Sequence, residues 1–403
     1  MTYKYPFPIM LTVLICCGCH PTNPGEAPVS YLVPVMDSCV DEPDHHYQIS
    51  IPEYIPDGQR LPLILAIDPH GDGGLALEKF AGALVDIPVV IAGSEKLRNN
   101  YPTFESSLSN LEKDVLAKYP ADPEQVLVAG FSGGARMAFF FGVKRKAKGI
   151  IMFGAGPGRS ISSAAGTKVY MVSGTRDFNF MEQYLPPFTS LYDEQDHMVD
   201  FFRGGHEWPP SENIHDAVAY MLKDDAEFSG NLPVQISQYE YGKFDSLMQA
   251  GDLFFAGKAL EKAWIFAPDG KRKASMSREI NELRNQPGWT GYQQKFEGFL
   301  HKELMQKQVY TEKLNDPDLS WWTAEIQRLN QNVNAVMDPV EKDYLFRLKG
   351  FIGILLYSRI NSKLQDGSHT DEVDRLLAIY ALAEPASPDL KRFKERVQHL
   401  PGE

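Results

Sequence analysis

The segment Gln125-Val126-Leu127-Val128-Ala129-Gly130-Phe131-Ser132-Gly133-Gly134-Ala135-Arg136 decides the fold. An apolar run of strand type leads straight into Gly-x-Ser-x-Gly, and a helix-forming stretch, 135–146, follows at once. Such a turn forces the serine into a strained backbone conformation, and glycines at 130 and 134 let strand and helix approach closely. The strain lifts the Ser132 hydroxyl clear of the backbone at a helix N-terminus. There the N–H of Gly133 points toward any oxyanion that forms. The five-residue pattern alone is common. Its place between a strand and a helix makes Ser132 a candidate nucleophile rather than an accidental turn.

Outward from this turn, short β-rich apolar runs alternate with amphipathic stretches. The runs are 47–51, 61–67, 88–92, 125–129, 149–153, 168–172 and 197–202, and the helical patterns between them are 76–85, 104–119, 135–146 and 214–223. Near-continuous apolar strands separated by helices predict an α/β fold, a doubly wound and mostly parallel sheet covered on both faces. Beyond about residue 238 the strand signal fades. Helical patterns take over at 244–260, 277–285, 296–314, 343–363, 371–383 and 390–400, predicting an all-α C-terminal domain after a linker at 228–237.

A serine hydroxyl needs a base to take its proton and a carboxylate to orient that base. On this architecture the chain order is serine, acid, histidine, each on a loop after a later strand. Run 168–172 ends in Ser173-Gly174-Thr175-Arg176-Asp177, and run 197–202 ends in Arg203-Gly204-Gly205-His206-Glu207-Trp208. Asp177 is therefore the candidate acid and His206 the candidate base. Asp193, Asp196 and Glu207 are rival acids in poorer positions, and a turn-capping role is the plain alternative for Asp177. A second oxyanion donor is expected in the loop Asp68-Pro69-His70-Gly71-Asp72-Gly73-Gly74, at the Gly71–Asp72 peptide, with His70 shaping the loop. Aromatic residues Phe178, Phe180, Tyr184 and Trp208 could wall a substrate pocket or simply pack on the sheet edge. No cofactor or metal is expected. Gly154-Ala155-Gly156-Pro157-Gly158 lacks the third glycine of a dinucleotide loop, and the histidines show no metal-ligand spacing.

With these residues in hand, the region from about 44 to 225 resembles the α/β-hydrolases. It is most similar to the lidless carboxylesterases of the dienelactone hydrolase and polyhydroxybutyrate depolymerase/feruloyl esterase group. The matching features are the His70-Gly71 loop, the Gly130–Gly134 turn, Gly174-x-x-Asp177 and Gly204-Gly205-His206-x-Trp208. The resemblance implies a serine esterase working through Ser132, His206 and Asp177. The usual Leu-His-Gly is Asp68-Pro69-His70-Gly71 here, and Asp72 adds a carboxylate beside the loop. Only 154–167 separates two strands where that family's lid usually inserts. An open site is therefore expected, suited to a bulky or polymer-attached ester.

The remaining features set the surroundings. The 403 residues carry 40 basic and 53 acidic side chains, a net charge of −13, with no basic block, so nucleic acid is excluded as a partner. Residues 1–19 read as an export signal: Lys4, an apolar core at 9–15, then Cys16-Cys17-Gly18-Cys19. Gly18 before Cys19 resembles a lipobox, with Cys16 where Leu is usual, which predicts lipidation at Cys19 and membrane attachment by acyl chains alone, or otherwise simple export. Cys39 has no evident partner. Residues 20–43 are expected to form a tether and 44–227 the sheet domain. Within 238–403, Gly251-Asp252-Leu253, Ala256, Leu260, Ala263 and Pro268 fall at tetratricopeptide-repeat spacing, with a poorer echo at 376–385. This region is expected to dock a protein partner, the substrate or the sheet domain, with Trp321-Trp322 in its core.

Overall fold

The computed structural model describes residues 29–157, 166–184, 197–225, 230–315, 317–365 and 370–399. Residues 1–19, expected from sequence to be an export signal with Cys19 lipidated, and the rival acids Asp193 and Asp196 lie outside these residues. Eight strands form one sheet in the order β1-β2-β4-β3-β5-β6-β7-β8. They are β1 (Val35–Ser38), β2 (His46–Ser50), β3 (Leu61–Ile67), β4 (Val90–Ser94), β5 (Ala121–Phe131), β6 (Gly149–Phe153), β7 (Lys168–Gly174) and β8 (His197–Phe202). From β4 through β8 every pair is parallel, while β1 and β2 run antiparallel to their neighbours at one edge.

Strand β3 shows why the sheet has two covered faces. All seven of its residues are buried. Ile64 and Ala66 pack beneath α1 (Gly73–Ala83) and α5 (Ser211–Leu222). Leu63, Leu65 and Ile67 pack on the other side beneath α2 (Phe104–Lys118) and α3 (Gly133–Arg145). Side chains alternate along a strand, so a run without polar residues requires apolar cover on both sides. Each fully buried Leu or Ile of β3 contributes about 1.5–3 kcal/mol.

The expected tether at 20–43 is corrected in its second half. Val35–Ser38 pairs with β2, Tyr31 bridges to Pro52, and the Tyr31 hydroxyl donates to the Ile87 carbonyl at 2.9 Å. The sheet domain thus begins before residue 44. A four-residue edge strand that buries little of itself carries no alternation to betray it.

After a short α4 (Phe180–Tyr184) and α5, the chain is helical: α6 (Leu232–Gln249), α7 (Leu253–Phe266), α8 (Lys271–Arg284), α9 (Pro287–Lys313), α10 (Leu319–Ala335), α11 (Pro339–Gln365), α12 (Asp371–Ala383) and α13 (Pro388–Gln398). The pattern at 244–260 is two helices, not one. Gly251 takes φ 73° and the Asp252 carboxylate accepts the Phe255 N–H, stopping α6 and starting α7. The expected linker shrinks because α6 starts at Leu232 with Pro233 in its first turn. Helix α10 was not anticipated. Trp322 is fully buried in the helical core, as expected of it. Among the described residues no helix is long and apolar enough to cross a membrane.

The two halves share an ionic joint. Lys262 of α7, 3% exposed, reaches Asp216 of α5 at 2.8 Å, Asp200 of β8 at 2.9 Å and Glu240 of α6 at 3.2 Å. Burial disfavours its charge, yet the three carboxylates raise its pKa well above the ordinary lysine value. Replacing Lys262 with Met removes the cation from Asp200 and leaves Asp216 and Glu240 only their longer contacts with His215 and Lys243, at 3.4 Å and 3.5 Å. Lys262→Met is expected to destabilise the protein by about 3–5 kcal/mol, seen as a lower urea midpoint of the full chain.

Candidate active site

Ser132 sits at the β5–α3 turn with φ 52° and ψ −117°, a region that residues with a Cβ avoid. Its N–H donates to the Phe153 carbonyl of β6 at 2.7 Å, which ties the turn to the sheet. A Cβ on Gly130 would overlap the backbone of Gly134, and one on Gly134 would overlap the Ile67 carbonyl. Glycine at both positions is therefore obligatory for this crossing of strand and helix.

The structure brings the three candidate residues together. His206 Nε2 lies 2.9 Å from Ser132 Oγ, and its Nδ1 lies 3.0 Å from both carboxylate oxygens of Asp177. Asp177 is fully buried. Its Oδ1 also accepts the Asn179 N–H at 2.8 Å, and the Asn179 amide donates to the Gly154 carbonyl at 2.8 Å. The acid and base loops are stitched directly. Thr175 N–H donates to the Phe202 carbonyl and Arg176 N–H to the Gly204 carbonyl, both at 2.9 Å. An imidazole held this way on a carboxylate can take a proton from the hydroxyl opposite, turning it into a nucleophile. The rival Glu207 instead accepts the Gly205 N–H within its own loop at 3.0 Å.

Two aromatic rings complete the row, Phe178 expected from the sequence and Phe131 not. Phe131 and Phe178 flank the His206 ring, with centroids at 4.8 Å and 4.2 Å. Phe180 and Tyr184 turn away into a cluster with Phe201 and Phe296, so of the acid-loop aromatics Phe178 walls the site. Trp208 packs against Phe80, Phe131 and Phe153, and its ring N–H donates to Asp68 at 3.1 Å. The buried Asp68 carboxylate also takes the His70 N–H at 2.8 Å and contacts the His70 ring at 3.2 Å. Burial pushes the Asp68 carboxyl up, but these hydrogen bonds outweigh it and hold it below the ordinary carboxylate value. Asp68, two residues before the His70-Gly71 pair, therefore has a structural purpose in this loop. The Gly154 loop also serves the acid: Gly154, at φ 64°, lies against Phe131 and Asp177 where a side chain would not fit.

The oxyanion candidates separate. Gly133 opens α3 beside Ser132, where the first N–H groups of a helix lack intrahelical acceptors. Gly71 N–H closes a turn onto the Asp68 carbonyl at 3.1 Å, and the Asp72 carboxylate caps α1 on the Leu75 N–H at 2.8 Å. From that loop, Pro69 and His70 line the site cavity, not Gly71 and Asp72. Asn99, from the loop after β4, sets its side-chain oxygen against the Cα of Gly133 and also lines the cavity. A polar side chain at a distance in sequence leaves no motif.

The C-terminal half borders the site. Ser132 and His206 face a cavity of about 680 Å3 whose roof is the C-terminal half: Phe346, Gly353, Ile354 and Tyr357 of α11, and Tyr380 of α12. A smaller adjoining cleft of about 270 Å3 runs past Ser132 and Gly133 toward Arg136. These bordering residues lie some two hundred positions after β6 and β7 in the chain. Compared with known protein families and with curated proteins, the chain matches none.

The carboxylates of Glu212, Asp216 and Glu240 approach one another within 4.8 Å, but they face lysines: Lys262 on Asp216 and Glu240, Lys243 on Glu212. Nearby His215, 3% exposed, contacts Asp86 at 2.9 Å and Asp216 at 3.4 Å. Burial would depress this imidazole, but its hydrogen bonds to Asp216 and Asp86 hold its pKa at about 9. Its folded value lies above the unfolded value of about 6.5, so its stabilisation is complete below the latter and lost through the former. The unfolding free energy is expected to fall by up to about 3 kcal/mol as pH rises from about 6.5 to 9, read as a lower urea midpoint, and His215→Asn to flatten that slope.

Proposed function

We propose that this chain is a serine hydrolase that cleaves carboxylic esters through an acyl-enzyme, on an α/β-hydrolase fold. The observation that carries the reading is the hydrogen-bonded row Ser132–His206–Asp177, with Ser132 raised at positive φ on the strand–helix turn. Ser132 Oγ attacks the ester carbonyl while His206 Nε2 takes its proton, and Asp177 fixes the ring so that Nε2 is the accepting nitrogen. The N–H of Gly133 stabilises the charge that develops on the carbonyl oxygen, with Pro69 and His70 alongside. The protonated His206 gives its proton to the departing alcohol. Water, activated by the same imidazole, then releases the acid and restores Ser132. An amide or peptide would use the same residues and differ in the leaving nitrogen.

The roofed, aromatic-lined cavity favours an ester that can be enclosed, or the free end of a longer chain, over the face of a polymer. The export segment with Cys19 agrees with a lipid-anchored enzyme acting outside the cytoplasm. A fluorophosphonate probe is expected to label the wild type and to leave Ser132→Ala unlabelled. On a panel of p-nitrophenyl esters, Asp177→Asn is expected to lower kcat by about four orders of magnitude. An unlabelled wild type, or hydrolysis that survives Ser132→Ala, overturns the reading.

A further inference from the structure

We propose that the helical half holds the acid loop in register, with Arg347 and Lys307 as positioning residues that act on Ser132 only through Asp177 and His206. The inference rests on the hydrolase reading above. Arg347 of α11 is 1% exposed. Its Nη1 donates to the Thr175 carbonyl at 2.7 Å, its Nε donates to Glu303 at 2.7 Å, and its guanidinium lies 4.8 Å from the Phe180 ring centre. Lys307 of α9 donates to the Phe178 carbonyl at 2.8 Å and pairs with the other Glu303 oxygen at 2.7 Å. One fully buried carboxylate, Glu303, therefore holds both cations.

The two gripped carbonyls bracket Asp177, at positions 175 and 178. The sheet half fixes the same loop through its N–H groups, those of Thr175, Arg176 and Asp177. The helical half fixes it through its carbonyls. Hydrogen bonds from buried cations are short, directional and about twice as strong as neutral ones, so they set the rotation of the peptides on either side of the acid. Apolar contact alone would seat the loop without setting that rotation. A catalytic carboxylate must be held within roughly 0.5 Å of its productive place, and here half of that constraint comes from α9 and α11.

The test uses the full chain. Arg347→Met leaves Glu303 paired with Lys307, and Lys307→Met leaves it paired with Arg347, so each variant keeps one compensating cation. Lys307, 13% exposed at the edge of the cluster, is the readable variant if Arg347→Met does not fold. Each is expected to lower kcat on p-nitrophenyl acetate about tenfold to a hundredfold with little change in KM, and to slow fluorophosphonate labelling equally. Arg347→Lys is expected to recover part of the loss. In an Asp177→Asn background the same substitutions are expected to cost less than about twofold, because the group they act through is already disabled. Wild-type kcat in both variants, or the same fractional loss with and without the Asp177 carboxylate, overturns the positioning role alone. An unlabelled wild type overturns the hydrolase reading instead, and the positioning role falls with it.

Discussion

The backbone of Ser132 is the constraint on which the rest of the site is built. A serine at positive φ costs about 1–3 kcal/mol and persists only where its surroundings over-determine it. Here they do, because Gly130 and Gly134 let α3 leave β5 at close range and the Ser132 N–H is tied to Phe153. In a parallel sheet the strand ends that carry functional loops all lie along one edge. Once the hydroxyl is fixed at the end of β5, strand register delivers the loops after β3, β7 and β8 to the same rim. The Asp177 and His206 loops need no long reach, since β7 and β8 are neighbours paired through Val169–Gly174 and His197–Phe202.

That logic explains how much was legible. The buried runs of β3, β6 and β7 are nearly free of polar residues, so strand identity and a doubly covered sheet could be read directly. Ser132, Asp177 and His206 could be read because each follows such a run. The supports around them could not. Asp68 looks like a departure from a family pattern and turns out to hold His70 and Trp208 together. Asn99 and Asn179 are ordinary loop residues until the fold brings them to Gly133 and the Gly154 carbonyl. Local sequence records where a strand ends, but it does not record which distant loop will lie across from it.

The roof was hidden for a related reason, although it left a trace. Helix α11 buries Leu345, Leu348, Ile352, Leu356 and Ile360 in the helical core, while Phe346, Ile354 and Tyr357 face the cavity. A helix with apolar residues on both sides is covered on both sides. Read that way, α11 asks for a second partner beyond its own bundle, and the sheet domain is the remaining candidate. Distance along the chain conceals this, because α11 is not an insertion between neighbouring strands.

Both joints between the halves are built on buried cations, and this choice needs a reason. Well-packed apolar residues would often give equal or greater stability, because desolvating the charges costs several kcal/mol. Apolar surfaces slide with little penalty, whereas Lys262 among three carboxylates and Arg347 between Glu303 and the Thr175 carbonyl each accept a narrow set of positions. One joint sits where β8 meets α5, α6 and α7, and the other where the acid loop meets α9 and α11. Two separated points of this kind fix both the distance and the rotation of the helical half. A half that both roofs the cavity over Ser132 and shapes the loop of Asp177 cannot be allowed to slip, and directional ionic contacts supply that register where area alone would not.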